Sequence, residues 1–318
     1  MKIVFMGTPE FAVPTLTALS SQQVTSVVTQ PDKPKGRGQA PHASPIKQFA
    51  LQHGLTVLQP PKVNVPDFIE ALRRQEPDII VVVAFGQILN TEILKIPRLF
   101  CMNLHSSLLP KYRGAAPINW AIVRGETETG VTTMKMDAGM DTGDILLTRK
   151  VPIKNSDTAQ TLHDTLAVEG AALALETISL AEQNKLVPVA QDGSLATYAP
   201  KLKKEDGLVQ WNKRATEIKN LVRGLDPWPG AYIFYKTKRL KVCSVEVSSG
   251  ESGDIPGVVA RLSDYGIEVG SGEGRLIVTE LQPEGKKRMS ARDFLHGHPM
   301  NKGDRLDEFP HLSVSNTL

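Results

Sequence analysis

The stretch Pro77-Asp78-Ile79-Ile80-Val81-Val82-Val83-Ala84-Phe85-Gly86 decides the reading of the fold. Its five successive β-branched residues are stiff about χ1, which suits an extended chain and disfavours a buried helix segment. With no polar alternation, both faces of the strand must be covered, as in the centre of a parallel sheet. Working outward, residues 2–6 are β-prone and stop at Gly7-Thr8-Pro9, and Phe11, Val13, Leu16 and Leu19 follow at helical spacing. Further strands are expected over 24–29, 55–58 and 101–104, with helices over 45–53, 65–75 and 117–123. Residues 131–136 and 145–151 read as extended and flank a polar hairpin turn over 137–144. A long helix is expected over 157–181, where Asp157 offers an N-cap and Gln160 follows three positions on. Strands alternating with helices predict an α/β domain: a Rossmann-like, doubly wound, mostly parallel sheet.

The pattern changes near 195–210. Pro200 and the polar run from Lys201 to Gly207 resemble a linker, and a short helix over 214–223 follows. Short β-prone pieces come next, at 231–235, 240–247, 257–261, 266–269 and 275–281, the pattern of a small barrel or sandwich. The expected division is a first domain over 1–200 and a second, β-rich one over 206–318.

The chain has 318 residues, 41% of them hydrophobic and 22% charged, enough for a large core and too apolar for wholesale disorder. No apolar run approaches the roughly 20 residues of a membrane span. The start carries neither a signal peptide nor an organelle leader, so a cytoplasmic protein is expected. Cys101 and Cys243 are far apart in sequence and form no CxxC, so two reduced, buried thiols are expected. The net charge is only +3, but it is unevenly spread. Residues 201–241 hold 11 Lys+Arg against 4 Asp+Glu, and 242–318 hold 8 against 12. A second basic stretch, Lys33-Pro34-Lys35-Gly36-Arg37-Gly38, is rich in turn formers and suggests a projecting arm suited to phosphate contacts.

Gly7-Thr8-Pro9 lacks the later glycines of the dinucleotide fingerprint, so NAD binding is not expected. Parallel sheets present ligands at the carboxyl ends of their strands, which draws attention to Ala84-Phe85-Gly86-Gln87-Ile88-Leu89. Asn103 and His105 lie two residues apart at another strand end and so share a face. Asp137, Asp141 and Asp144 crowd the hairpin turn. They lack calcium-loop spacing and its terminal Glu, and no His-rich motif accompanies them. One Asp in acid/base work and the others holding turns fits best.

These residues carry a resemblance. Asn103-Leu104-His105-Ser106-Ser107-Leu108-Leu109-Pro110, followed by Arg113-Gly114-Ala115-Ala116-Pro117-Ile118 and by Asp137-Ala138-Gly139-Met140-Asp141-Thr142-Gly143-Asp144, resembles the folate-dependent formyltransferases. Within that superfamily the whole length looks like the branch that formylates the methionine of initiator tRNA, although Ser106 stands where some of those enzymes have Gly. The resemblance implies 10-formyltetrahydrofolate as co-substrate, no metal, methionyl initiator tRNA as acceptor, no membrane partner and a monomeric chain. It implies catalysis by Asn103, His105 and Asp141. Folate would be held by Phe85, Gly86, Gln87, Ile88 and Leu89 with Ser107, Leu108, Leu109 and Pro110. The tRNA would be gripped by Lys33, Lys35 and Arg37 and by Lys203, Lys204, Lys213 and Arg214 of an OB-like second domain. Two other readings stay open from the residues: a formyltransferase for an amino sugar on a nucleotide, and a tRNA-binding protein without catalysis.

Overall fold

The computed structural model describes residues 1–35, 40–249 and 254–306. In chain order the elements are β1 (Lys2–Gly7), α1 (Val13–Leu19), β2 (Gln23–Val28), β3 (Lys33–Lys35), β4 (Ala40–His42), α2 (Pro45–Gln52), β5 (Val57–Leu58), α3 (Pro66–Arg73), β6 (Ile79–Val83), α4 (Thr91–Leu94), β7 (Phe100–His105), β8 (Arg113–Gly114), α5 (Pro117–Val123), β9 (Glu128–Lys135), β10 (Ile145–Pro152), α6 (Ala159–Glu182) and β11 (Tyr198–Ala199). There follow α7 (Ala215–Gly224), β12 (Ala231–Tyr235), β13 (Lys238–Ser248), β14 (Val259–Leu262), β15 (Ile267–Gly270), β16 (Arg275–Pro283), β17 (Met289–Ser290) and α8 (Ala291–Gly297). The chain forms two compact units. The first holds residues 1–117, 128–153 and 161–200; the second holds 118–127, 154–160 and the chain from 201 on.

In the first unit a seven-stranded sheet runs β10-β9-β7-β6-β1-β2-β5. The five strands from β5 to β7 are parallel, whereas β9 is antiparallel to β7 and β10 to β9. Every residue of β6 is buried, between β1 and β7. Removing five such side chains from water contributes on the order of 10 kcal/mol, which fixes this run at the centre. The hairpin expected over 137–144 forms, with β9 and β10 paired from Glu128↔Pro152 to Met134↔Ile145. Gly170 lets α6 lie flush on β7, because a Cβ there would come within 2.7 Å of Leu104.

Three local expectations change. The segment around 33–42, read as an arm, contains a β3–β4 ladder from Lys33↔His42 to Lys35↔Ala40; its Pro and Gly content hid the pairing. The stretch between 105 and 116, where the sequence predicts no element, contains β8, which pairs in parallel with β11, more than 80 residues later. The polar run after Pro200 is not a free linker. Leu202 is buried, and residues 204–207 make a 3-10 turn whose Gly207 packs against the Gly230 carbonyl.

The second unit is an antiparallel sheet, β12-β13-β16-β15-β14, with β17 on β16. Ile218 and Val222, one helical turn apart on α7, bury into its core with Ile233, Val242, Val269 and Leu276. Among the described residues β12 does not pair with β14, so no ladder joins the two ends of this antiparallel sheet. The buried Arg275 of β16 pairs with Asp254 at 2.6 and 2.7 Å and with Glu268 of the neighbouring β15 at 3.4 Å. No helix among the described residues is long and apolar enough to cross a membrane.

Candidate active site

Asn103 and His105 both lie at the carboxyl end of β7, paired with Met134 and Thr132 of β9. His105 is buried, and its Nε2 lies 2.9 Å from the Tyr112 carbonyl oxygen. A carbonyl can only accept, so Nε2 carries the hydrogen and donates. That leaves Nδ1 as the nitrogen able to gain or lose a proton, and it lies 3.7 Å from Asp141 Oδ2. This distance is too long for a hydrogen bond but supports an ion pair once the ring is protonated. The half-buried Asn103 side chain makes no hydrogen bond to another described residue, which leaves its amide available to a ligand.

Asp141 is held in place from two sides. Its Oδ2 accepts from the Gly114 backbone at 2.8 Å, and its carbonyl accepts from Gln191 Nε2 at 2.9 Å. The backbone is left-handed here (φ 56°), as it is at Tyr112 (φ 59°) and at Ala84 (φ 47°). Non-glycine residues in this region cost on the order of 1 kcal/mol each, and such outliers cluster at functional sites. Gln191 also donates to the Gly143 carbonyl at 2.7 Å and accepts from Arg113 Nε and Nη2 at 3.2 and 2.7 Å. Arg113 is 6% exposed, so one neutral amide links a buried guanidinium to the aspartate loop. Gly143 permits the loop to close, because a Cβ there would lie 1.7 Å from the Lys135 carbonyl oxygen.

Ser107, Leu108, Leu109 and Pro110 form the loop after β7. Thr132 Oγ1 fixes it, donating to the Ser107 carbonyl at 2.7 Å and accepting from the Leu109 backbone at 3.2 Å. Ser107 Oγ donates to the Lys111 carbonyl, and Thr197 Oγ1 accepts from the Tyr112 backbone. Sequence reasoning missed Gln191, Thr132, Thr197 and the Tyr112 carbonyl. Gln191 and Thr197 belong to no motif. Thr132 carried a weak signal: it and Thr133 are adjacent hydroxyls between the apolar Val131 and Met134, and a buried hydroxyl must find a partner.

At the end of β6, Phe85 and Leu89 are buried and anchor a loop whose Ile88 is 85% exposed. Thr8 Oγ1 and Gln30 Nε2 both donate to the Phe85 carbonyl at 3.0 Å. Gln87 accepts from the Val63 backbone, and Asn64 donates to the Ile88 carbonyl. The loop is therefore a rigid backbone shelf, with Gly86 in the left-handed region and an apolar side chain turned outward.

Asp137 serves its turn, accepting from the Gly139 backbone and Thr142 Oγ1. No group of three or more His, Cys, Asp or Glu that could hold a metal occurs among the described residues. Burial pushes the Cys101 thiol up to about 12, so it is no nucleophile. Lys33 is exposed on β3 and donates to Gln30 Oε1 at 2.6 Å. Lys35 has its backbone in β3, its side chain lies outside the description, and Arg37 lies outside the described residues altogether. In the second unit Lys203, Lys204 and Lys213 are exposed, while Arg214 is engaged by Glu217 at 3.0 Å.

The family described as "Formyl transferase" matches residues 1–178, and "Formyl transferase, C-terminal domain" matches 201–299. The chain belongs to the formyl transferase family, a class of transferase. Among its relatives, a protein of Citrifermentans bemidjiense named methionyl-tRNA formyltransferase is 54% identical over 96% of this chain and 96% of its own. The methionyl-tRNA formyltransferase of Geobacter sulfurreducens is 53% identical over 97% of each. A solved sugar 3N-formyl transferase shares the fold with a TM-score of 0.67 at 23% identity, over 90% of this chain and 99% of its own.

Proposed function

We propose that the protein transfers the formyl group of 10-formyltetrahydrofolate to the α-amine of methionine on initiator tRNA. The relatives' name supplies the acceptor, and their near full-length similarity takes in both units. The observation that carries the chemistry is His105 Nδ1 facing Asp141 Oδ2, with the unengaged Asn103 amide two residues away on the same strand.

The neutral amine attacks the formyl carbon and its carbonyl oxygen becomes an oxyanion. Asn103 donates to that oxygen, a contribution worth roughly 10²–10³ in kcat for one preorganised donor. His105 Nδ1 takes the proton leaving the amine, and Asp141 stabilises the resulting imidazolium. The proton then goes to the departing folate nitrogen as the carbon–nitrogen bond breaks. No covalent formyl-enzyme intervenes. The shelf from Phe85 to Leu89 offers backbone groups to the polar edges of the pterin and Ile88 to its flat face, with Ser107 to Pro110 opposite the acceptor side. Lys33, Lys35 and Arg37 on the first unit, and Lys203, Lys204, Lys213 and Arg214 on the second, supply phosphate contacts whose affinity falls with salt.

The test supplies 10-formyltetrahydrofolate with charged initiator tRNA, charged elongator tRNA or an amino-sugar nucleotide. Rapid product with the first alone is expected. Preference for the sugar would refute the acceptor, and tRNA binding without any transfer would refute the chemistry. Asn103→Ala, His105→Ala and Asp141→Asn should each lower kcat at unchanged tRNA affinity, and wild-type turnover in all three would sink the assignment.

A further inference from the structure

A cavity of about 370 Å³ opens in the second unit, between residues 208–212 and β12, the end strand of its sheet. That volume falls within the ~300–1,000 Å³ of sites that hold small ligands. Its walls are apolar: Leu208, Trp211, Ile233, Phe234, Pro256 and Leu306. The Val209 backbone donates to the Tyr232 carbonyl at 2.9 Å, and the buried Trp211 donates its indole N–H to the Leu306 carbonyl at 3.2 Å. Both bonds tie the segment to its surroundings, so the cavity is formed before any ligand enters.

The rim has a different character. Val209 and Trp211 are buried, whereas Gln210 and Asn212, which also line the cavity, are exposed. Neither amide side chain hydrogen-bonds another described residue, so each offers a donor and an acceptor. Lys213 follows Asn212. Arg239 pairs with Phe234 across the β12–β13 ladder, and its guanidinium lies 3.9 Å from the centre of the Tyr232 ring. Neither cation forms an ion pair among the described residues.

Together these groups select a ligand. A purely apolar chain would leave two amides and two cations unused, and an isolated phosphate would leave the aromatic wall bare. A nucleotide uses all three: its ring against Trp211 and Phe234, its polar edge on Gln210 and Asn212, and its flanking phosphates on Lys213 and Arg239. A base inside a duplex keeps its faces stacked on its neighbours, so the ring that enters must be unpaired. We infer that this cavity receives one unpaired nucleobase of the RNA acceptor, a base contact added to the phosphate grip. This rests on the tRNA acceptor proposed above.

The experiment measures binding of methionyl initiator tRNA over a range of salt to the wild type, to the double variant Gln210→Ala/Asn212→Ala and to Lys213→Ala. The two amides are exposed and unengaged, so removing them leaves the fold intact. The double variant should bind about 10-fold more weakly with its salt dependence unchanged, because an amide releases no counterion. Lys213→Ala should instead lower the slope of log Kd against log salt by roughly 0.7–0.9. Ultraviolet irradiation of the wild-type complex should join RNA to peptides carrying residues 208–212 or 233–234. Wild-type affinity in the double variant, or cross-links confined to other peptides, would overturn the pocket while leaving the reaction intact. A wild-type protein that neither binds nor formylates this tRNA would instead overturn the reaction, and the pocket with it.

Discussion

Replacing Gln191 by Leu tests whether the aspartate loop is held by one neutral amide. The substitution keeps the approximate volume and removes four hydrogen bonds: two from Arg113 and one each to the Asp141 and Gly143 carbonyls. Bonds to a charged donor contribute about 1.5–3 kcal/mol, and half-buried carbonyls that water can reach add less, so the loss should total about 2–4 kcal/mol. For a unit of roughly 180 residues that is a fall in Tm of about 5–15 °C. Asp141 also loses the donor that pins its left-handed backbone, and a displacement of about 1 Å at a reacting group costs on the order of 100-fold in kcat. Gln191→Glu separates the two effects. A carboxylate should pair with Arg113 at least as well as the amide does, but it has no hydrogen for the two carbonyls. Tm should recover in Gln191→Glu while kcat stays low. The assays are differential scanning fluorimetry and single-turnover formylation at saturating tRNA. Wild-type kcat in Gln191→Leu, or joint recovery of Tm and kcat in Gln191→Glu, would refute a positioning role for Gln191.

Three further outcomes are expected. Gly143→Ala forces a Cβ onto the Lys135 carbonyl, so the loop must move; kcat should fall at least about 10-fold with a loss of roughly 1–3 kcal/mol, and normal kinetics would show that the loop closes differently. Cys101, with its pKa pushed up to about 12, should resist alkylation in the native protein at pH 8, and Cys101→Ala should retain turnover; rapid labelling that abolishes activity would contradict this. Hydrogen bonds from the Arg98 side chain and the Lys2 backbone hold the Asp78 carboxyl below its usual range. Because the folded value lies below the unfolded one, its contribution is complete above about pH 4 and fades as the pH falls through the folded value. Asp78→Asn should therefore flatten the decline in Tm from pH 5 to pH 3, and an unchanged profile would remove Asp78 from the account.

Much of the first unit was legible because its signals are local. The apolar run at 79–83 could be satisfied only by burial on both faces, and the period of 2 placed Asn103 and His105 on one face of β7. The polar turn between two extended runs gave the β9–β10 hairpin. The β3–β4 ladder, β8 and β11 were not legible. Each is two or three residues long, with Pro or Gly in three of the four; β3 and β4 pair only with each other, while β8 and β11 exist because the fold brings together segments more than 80 residues apart to satisfy their backbone groups.

By itself the sequence determined an α/β sheet followed by a β-rich unit, the uneven charge beneath a net +3, and the identity of the polar residues at the strand ends. The family resemblance had already singled out Asp141 among the three crowded aspartates; only the tertiary structure decided how far it stands from His105, which imidazole nitrogen is free, and that Gln191, 50 residues beyond Asp141, braces its loop. Strand and helix periodicity is written in neighbouring residues, whereas a hydrogen bond across the sheet joins groups whose sequence separation carries no pattern. It arises only when burial has fixed both backbones and left a donor facing an acceptor with no water to replace it.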